Sequence, residues 1–285
     1  MLSMSIHPTA LIGEQAQIDP TAVIGPHVVI EGPVTIGAQC RLAPGVVIYG
    51  PTTIGNGCQI HAHAVIGDVP QDRAYAGEES FVRIGNDCII REGVTIHRGT
   101  LPNTETVIGD RCMLMTSCHV GHNCVLEHDV IMISGSLLGG YVHVGTGAVI
   151  SGNAAVHQFV RIGELAMISG LGKIVQDIPP FFMTDREGGL VGVNRVGLMR
   201  RSFTSHEREE IKAAYRIIYR SGLGQLQAFK QLVDMVKTDA GQRLIAFLAA
   251  KSRRGIAASA YALPSPKEKP ASIPATTNGA AVNDA

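Results

Sequence analysis

An aliphatic side chain recurs every sixth residue through two thirds of the chain. Steps of six from Ile6 land on Ile12, Ile18, Ile24, Ile30, Ile36, Leu42, Ile48, Ile54, Ile60 and Ile66. After a gap they land on Ile84, Ile90 and Ile96 and then, one skip later, on every position from Ile108 to Ile174. Of the 29 positions on this ruler only Asp72, Glu78 and Pro102 are not aliphatic. The residue after the ruler is often Gly, as at Gly13, Gly25, Gly37, Gly121, Gly139 and Gly163, and the fourth residue after it is nearly always small or β-branched. A helix would repeat every 3.6 residues and a half-buried hairpin every two, so neither fits. The spacing predicts a β-solenoid of short strands and tight turns, three hexads to an 18-residue triangular coil. Coils stacked at ~4.8 Å would align the ruler side chains into continuous inward ladders.

Two stretches, 68–83 and 98–107, break the pattern without losing its phase. Both are polar, and an insertion into a regular solenoid must protrude, where it serves either as spacing filler or as a carrier of function. After Pro179-Pro180 the period changes. Residues 181–203 read as a connector, and Thr204-Ser205-His206-Glu207 as a capping box. It opens an amphipathic helix whose apolar face is Ile211, Ala214, Tyr215, Ile218 and Tyr219, ended by Gly222 and Gly224. Further helices are expected over about 226–236 and 241–251, and from 255 to 285 the composition predicts a disordered tail. The expected fold is mainly β: a β-helix over 1–180, then a small α-helical domain within 181–254.

Composition agrees with a narrow core. Aromatics are 5%, Trp is absent and there are 33 glycines, which suits a triangular interior with no room for large rings. Cys40, Cys58, Cys88, Cys112, Cys118 and Cys124 differ by multiples of six and all take the small inward slot, so they read as packed free thiols. No apolar run approaches ~20 residues, which argues against a membrane-spanning helix. No basic start followed by an apolar stretch occurs in the first 25 residues, so a cytoplasmic location is expected.

The 24 basic and 24 acidic side chains cancel, which argues against a protein held mainly by nucleic-acid phosphates. The sum hides an asymmetry. Residues 1–186 hold 9 basic and 16 acidic groups, while 187–254 hold 13 basic and 6 acidic, so a −7 region precedes a +7 region. The basic part is either a solvated helical face or a surface for an acidic partner or for phosphates. His119, His122 and His157 lie off the ruler on neighbouring coils with Asn123 and Gln158, suited to acid–base work near neutral pH. His119-x-x-His122 could also offer two metal ligands. No P-loop, Rossmann glycine motif or Ser–His–Asp order is present, and neither metal nor cofactor is expected.

Several short motifs then occur in a fixed order: Ile96-His97-Arg98-Gly99-Thr100, His119-Val120-Gly121-His122, His157-Gln158-Phe159 and Gln176-Asp177-Ile178-Pro179-Pro180. Gly192-Val193-Asn194, Gly197-Leu198-Met199-Arg200-Arg201 and Tyr219-Arg220-Ser221-Gly222 follow. Over about residues 6–254 the chain resembles the acyl-carrier-protein-dependent UDP-N-acetylglucosamine O-acyltransferases of lipid A synthesis. The resemblance implies a left-handed parallel β-helix, an exception to right-handed crossovers, and a homotrimer with sites between subunits. It implies transfer of a 3-hydroxyacyl chain from acyl carrier protein to the sugar 3-hydroxyl. By the same matching His122 is the general base and the Gly140 N–H faces the oxyanion. Gln71, Asp72, His119, His157 and Gln158 would line the sugar and acyl pocket, and Met115 and Gly170 the acyl groove. Asn194, Arg200 and Arg201 would approach the nucleotide of the neighbouring subunit.

This sequence departs from the family pattern at four places. Asn123 stands where the family usually has Asp after the catalytic His, Ala74 where it has Lys, Tyr141 where it has His and Val196 where it has Glu. A neutral Asn123 can orient an imidazole but adds no charge, which leaves open N-acylation of a 3-amino UDP-sugar, since an amine needs a weaker base. A binding paralogue that keeps the fold without turnover is the alternative of another class.

Overall fold

The computed structural model describes residues 6–261. The six-residue ruler builds a three-sided solenoid, and every third strand along the chain joins the same sheet. Among the described residues one face has nine strands, from Leu11–Ile12 to Lys173–Ile174, and the second has eight, from Gln17–Ile18 to Arg161–Ile162. The third has ten, from Val23–Ile24 to Met167–Ile168 and the pair Phe182–Thr184 and Leu190–Val193. Pairing is parallel with an 18-residue register, as in Leu11↔Val29 and Ile12↔Ile30. Ruler residues such as Ile48, Ile66, Ile90 and Ile96 are 0% exposed, so the ladders are the core.

The insertions preserve phase for a simple reason. Ile54 pairs with Ile84, thirty residues along, and Ile84 with Ile108, twenty-four along. Against a coil of eighteen the loops add twelve and six residues, both whole numbers of hexads. Phe81–Ile84 and Glu105–Ile108 close the loops by pairing with each other, and Arg83 grips Glu105 there through Nη2 at 2.7 Å. Arg98 then ties the two insertions together. Its guanidinium donates to the Gly50 carbonyl and to the Tyr75 hydroxyl, both at 2.9 Å.

All six cysteines are free and buried. Their thiols have a use beyond filling the slot, because each donates to a backbone carbonyl of the next coil, Cys40 to Gly55 and Cys88 to Gly109 at 3.0 and 3.1 Å.

Beyond the last coil the connector 181–203 is ordered. It forms the antiparallel pair Phe182–Thr184 and Leu190–Val193 and a short helix, α1 (Arg195–Arg200). The helices α2 (Ser205–Arg220), α3 (Gln225–Met235) and α4 (Asp239–Ala249) follow. The capping box is present: the Thr204 hydroxyl accepts from the Glu207 N–H, and the Glu207 carboxylate accepts from the Thr204 N–H. Ile211, Ala214 and Tyr215 are buried, with Tyr215 edge-on to Phe182 at 5.2 Å. Glu210 accepts from the Lys237 and Thr238 N–H groups and so fixes the junction of α3 and α4. Arg243 of α4 pairs with Glu164 of the solenoid at 2.6 Å.

The expected start of a disordered tail at 255 is corrected. Residues 255–260 return to the solenoid end: Asp177 bridges Ile256, Leu190 bridges Ser259, and Ala257 is buried. The remainder of the expected tail, 262–285, lies outside the described residues.

Candidate active site

One corner of the solenoid, between the first and second faces, gathers the polar side chains. The turns after the strands His119–Val120, Leu137–Leu138 and Ala155–Val156 stack there, carrying His122, Gly140 and Gln158 in corresponding positions. They border a cleft of about 320 Å³ lined by Gln71, His97, His119, His122, Gly140, His157 and Gln158 among others. Six expected site residues thus share one cavity although 87 positions separate Gln71 from Gln158.

His122 is 8% exposed and its imidazole is gripped at Nδ1, with Thr100 Oγ1 at 2.7 Å and Asn123 Oδ1 at 3.0 Å. Its Nε2 turns to the cleft and lies 3.6 Å from Asp72 Oδ2. The first insertion therefore delivers Asp72 and Gln71 over His122, while the second delivers Thr100 beneath it. The Asp72 turn is itself fixed, since Oδ1 accepts from the Ala74 N–H at 3.0 Å. Tyr141 stands edge-on to the His122 ring at 5.3 Å and stacks on Phe159 at 4.9 Å. Arg253, from the segment after α4, covers Phe159 at 4.7 Å.

Gly140 lines the cleft, and its N–H meets no acceptor among the described residues. The peptide that carries this N–H is held from behind, because the Cys124 thiol donates to the Gly139 carbonyl at 3.1 Å. In a trans peptide the N–H points opposite to that carbonyl. Burial pushes the Cys124 thiol up to about 12, so it stays a protonated donor. A β-carbon on Gly140 would lie 2.4 Å from Cε1 and Nε2 of His122, so the imidazole and this peptide are in direct apposition.

His119 bonds Thr95 Oγ1 through Nδ1 at 2.8 Å and meets His97 edge-on at 5.3 Å. Burial, with smaller contributions from His97 and His122, holds its pKa down to about 4, so at pH 7 it is neutral and can donate or accept. His97 donates from Nδ1 to the Val69 carbonyl. His157 and Gln158 are exposed at the open side.

The other expected residues lie elsewhere on the chain. Met115 and Gly170 belong to the corner after the third face and do not line this cleft. Asn194 caps α1: Nδ2 donates to the Leu165 carbonyl and Oδ1 accepts from the Gly197 N–H. It positions α1, which carries Arg200. Arg201 pairs with Asp129 at 3.2 Å, whereas the Arg200 guanidinium is exposed with no partner among the described residues. Sequence reasoning did not assign His97, which sits one step after the ruler like Gly121, Gly139 and His157. It also left Thr100 unassigned, since an insertion residue has no place in the hexad count.

The profile of hexapeptide transferases matches residues 33–68 and 63–98, and that described as Udp N-acetylglucosamine O-acyltransferase, domain 2, matches 177–257. An acyl-[acyl-carrier-protein]–UDP-N-acetylglucosamine O-acyltransferase of Synechocystis sp. is 47% identical over 206 residues, 72% of this chain and 68% of that protein. Its counterpart in Gloeothece citriformis is 44% identical over 78% of this chain and 74% of its own. The crystal structure of the Francisella novicida UDP-N-acetylglucosamine acyltransferase superposes with a TM-score of 0.86 at 36% identity, covering 90% and 95% of the two chains. The Arabidopsis enzyme gives 0.78 at 33%, covering 88% and 97%. The solenoid is accordingly the left-handed parallel β-helix that the motifs implied. This chain belongs to the family of acyl-[acyl-carrier-protein]–UDP-N-acetylglucosamine O-acyltransferases.

Proposed function

We propose that this protein transfers a 3-hydroxyacyl chain from acyl carrier protein to the 3-hydroxyl of UDP-N-acetylglucosamine, the first step of lipid A synthesis, as a cytoplasmic homotrimer. The observation that carries the reading is the pairing of His122 Nε2 with the unsatisfied Gly140 N–H across one cleft. Nε2 takes the proton as the sugar oxygen attacks the thioester carbon, and the Gly140 N–H receives the charge that develops on the carbonyl oxygen. Collapse of that intermediate breaks the C–S bond, and the imidazolium returns its proton to the leaving sulfur. Asn123 orients the imidazole from Nδ1.

Gln71, Asp72, His119, His157 and Gln158 hold the sugar and the near end of the acyl chain. Met115 and Gly170 border the acyl groove, and Asn194, Arg200 and Arg201 reach the nucleotide across the subunit boundary. The separation of these three groups on one chain favours a site completed by a second copy. The +7 helical region offers the acidic carrier a complementary surface.

Incubation with acyl carrier protein thioester and either UDP-N-acetylglucosamine or its 3-amino analogue tests the reading through product mass and base lability. A base-labile ester is expected, and His122→Ala should lower its rate by about 10²–10⁴-fold. A base-stable amide from the amino sugar alone would replace the O-acyl assignment, an outcome that the neutral Asn123 makes worth testing. Acyl transfer undiminished in His122→Ala would remove His122 from its role, and no transfer by the wild-type chain would favour a binding paralogue.

A further inference from the structure

His122 has a single Nδ1 and two oxygens in reach of it, and Thr100 is involved with both. The Thr100 hydroxyl lies 2.7 Å from Nδ1. Its backbone N–H donates at 2.9 Å to Asn123 Oδ1, the other oxygen beside Nδ1. The second bond decides how the Asn123 amide sits, because only its oxygen can accept from an N–H. An amide oxygen cannot donate, so the His122 tautomer bonded to it has its proton on Nδ1. Nε2 then keeps its lone pair toward the cleft.

The opposite tautomer has support of its own. Asp72 Oδ2 lies 3.6 Å from Nε2 and would accept a proton there, while the Thr100 hydroxyl could turn and donate to Nδ1. Only the first tautomer is a base toward the cleft. A carboxylate at position 123 would settle the competition by charge, but Asn123 has none. Thr100 is 1% exposed, and its hydroxyl has no other partner among the described residues, so its orientation belongs to this contact.

We propose that Thr100 is a positioning residue for His122. Its N–H sets the Asn123 amide, its hydroxyl shares the Nδ1 proton, and the second insertion thereby holds the imidazole as an Nε2 base without a neighbouring carboxylate at Nδ1. The proposal rests on the reading of His122 as general base.

Thr100→Val removes the hydroxyl and keeps the shape and the backbone N–H. Its kcat is expected to fall about tenfold, within the roughly 10²–10⁴-fold that general-base catalysis supplies, with KM for both substrates changed less than about twofold. Thr100→Ser should recover most of the rate. Nitrogen-15 spectra of labelled imidazoles give an activity-independent readout: wild-type His122 should have its proton on Nδ1, and Thr100→Val should move population to Nε2–H. Unchanged kcat and spectrum in Thr100→Val would overturn the proposal, as would a loss confined to KM. A wild-type spectrum with the proton on Nε2 would overturn it without any variant, so a misfolded Thr100→Val leaves it testable. His122→Ala in the same assay separates the two levels, since an inactive His122→Ala beside an unaffected Thr100→Val sinks only the role of Thr100.

Discussion

Gly140 shows how much chemistry can hang on the absence of one carbon. Its backbone is not in the left-handed region, so a turn conformation does not demand glycine here. The demand comes from contact, because a β-carbon would sit 2.4 Å from Cε1 and Nε2 of the His122 ring. Gly140→Ala must therefore turn the imidazole or shift the peptide that carries the unpaired N–H. Either movement spoils a geometry in which removal of one oxyanion donor costs roughly 10²–10³-fold in kcat. A loss of that size is expected in the thioester assay, with a melting temperature close to wild type because the collision is with a side chain at the cleft. Wild-type kcat in a folded Gly140→Ala would show that the ring and the peptide are not in the apposition described. His122, His157 and Gln158 were legible as polar residues off the ruler, and Gly140 only through the family motif. Thr100 was not, because its importance lies in a contact across 22 residues with a ring on the next coil.

The two insertions act as elements of the site rather than spacers. One brings Asp72 to Nε2 of His122 and the other brings Thr100 to Nδ1, and Arg98 holds them to the solenoid and to each other. The segment 255–260 is the counterpart at the far end. It pairs with Asp177 and Leu190 where the last coils would otherwise present open strand edges. Its composition is poor in large apolar residues, which is why it reads as a tail, but backbone hydrogen bonds place no demand on side-chain type. The Ala257 N–H donates to the Asp177 carbonyl at 2.9 Å, and the Leu190 N–H donates to the Ala258 carbonyl at 2.8 Å. Hydrogen exchange should find the amides of Ala257 and Leu190 protected by orders of magnitude relative to an unstructured peptide. Exchange of Ala257 at the random-coil rate would return this segment to the tail.

At the scale of the whole molecule, one chain carries all the parts of the proposed site but does not bring them together. The cleft lies on one corner of the solenoid, Met115 and Gly170 on another, and the exposed Arg200 on α1. A mass in solution of three times the 30.2 kDa chain is expected by light scattering. His122→Ala and Arg200→Ala chains, each impaired alone, should regain part of the activity when assembled together, because some interfaces then pair an intact His122 with an intact Arg200. A monomer at working concentration, or no complementation, would place the nucleotide and the base on the same chain.

What the sequence determined by itself is the solenoid, its coil length, the position of both insertions and the capped helix at 204. Each follows from a local period or a short-range cap that a linear chain displays openly. The family was legible as well, because its motifs are short runs in fixed order. Tertiary structure decided the rest. Only stacking of successive coils, at a register of 24 residues across the second insertion and 18 beyond it, brings His97, His122 and Gln158 to one wall, and only the loops' lengths aim Asp72 and Thr100 at opposite nitrogens of one ring. The same holds for Asn194, whose amide caps α1, and for Gly140, whose N–H is left over. Hydrogen-bond satisfaction is a property of neighbours in space, so which polar groups are spent and which remain for a substrate emerges only when the coils are stacked.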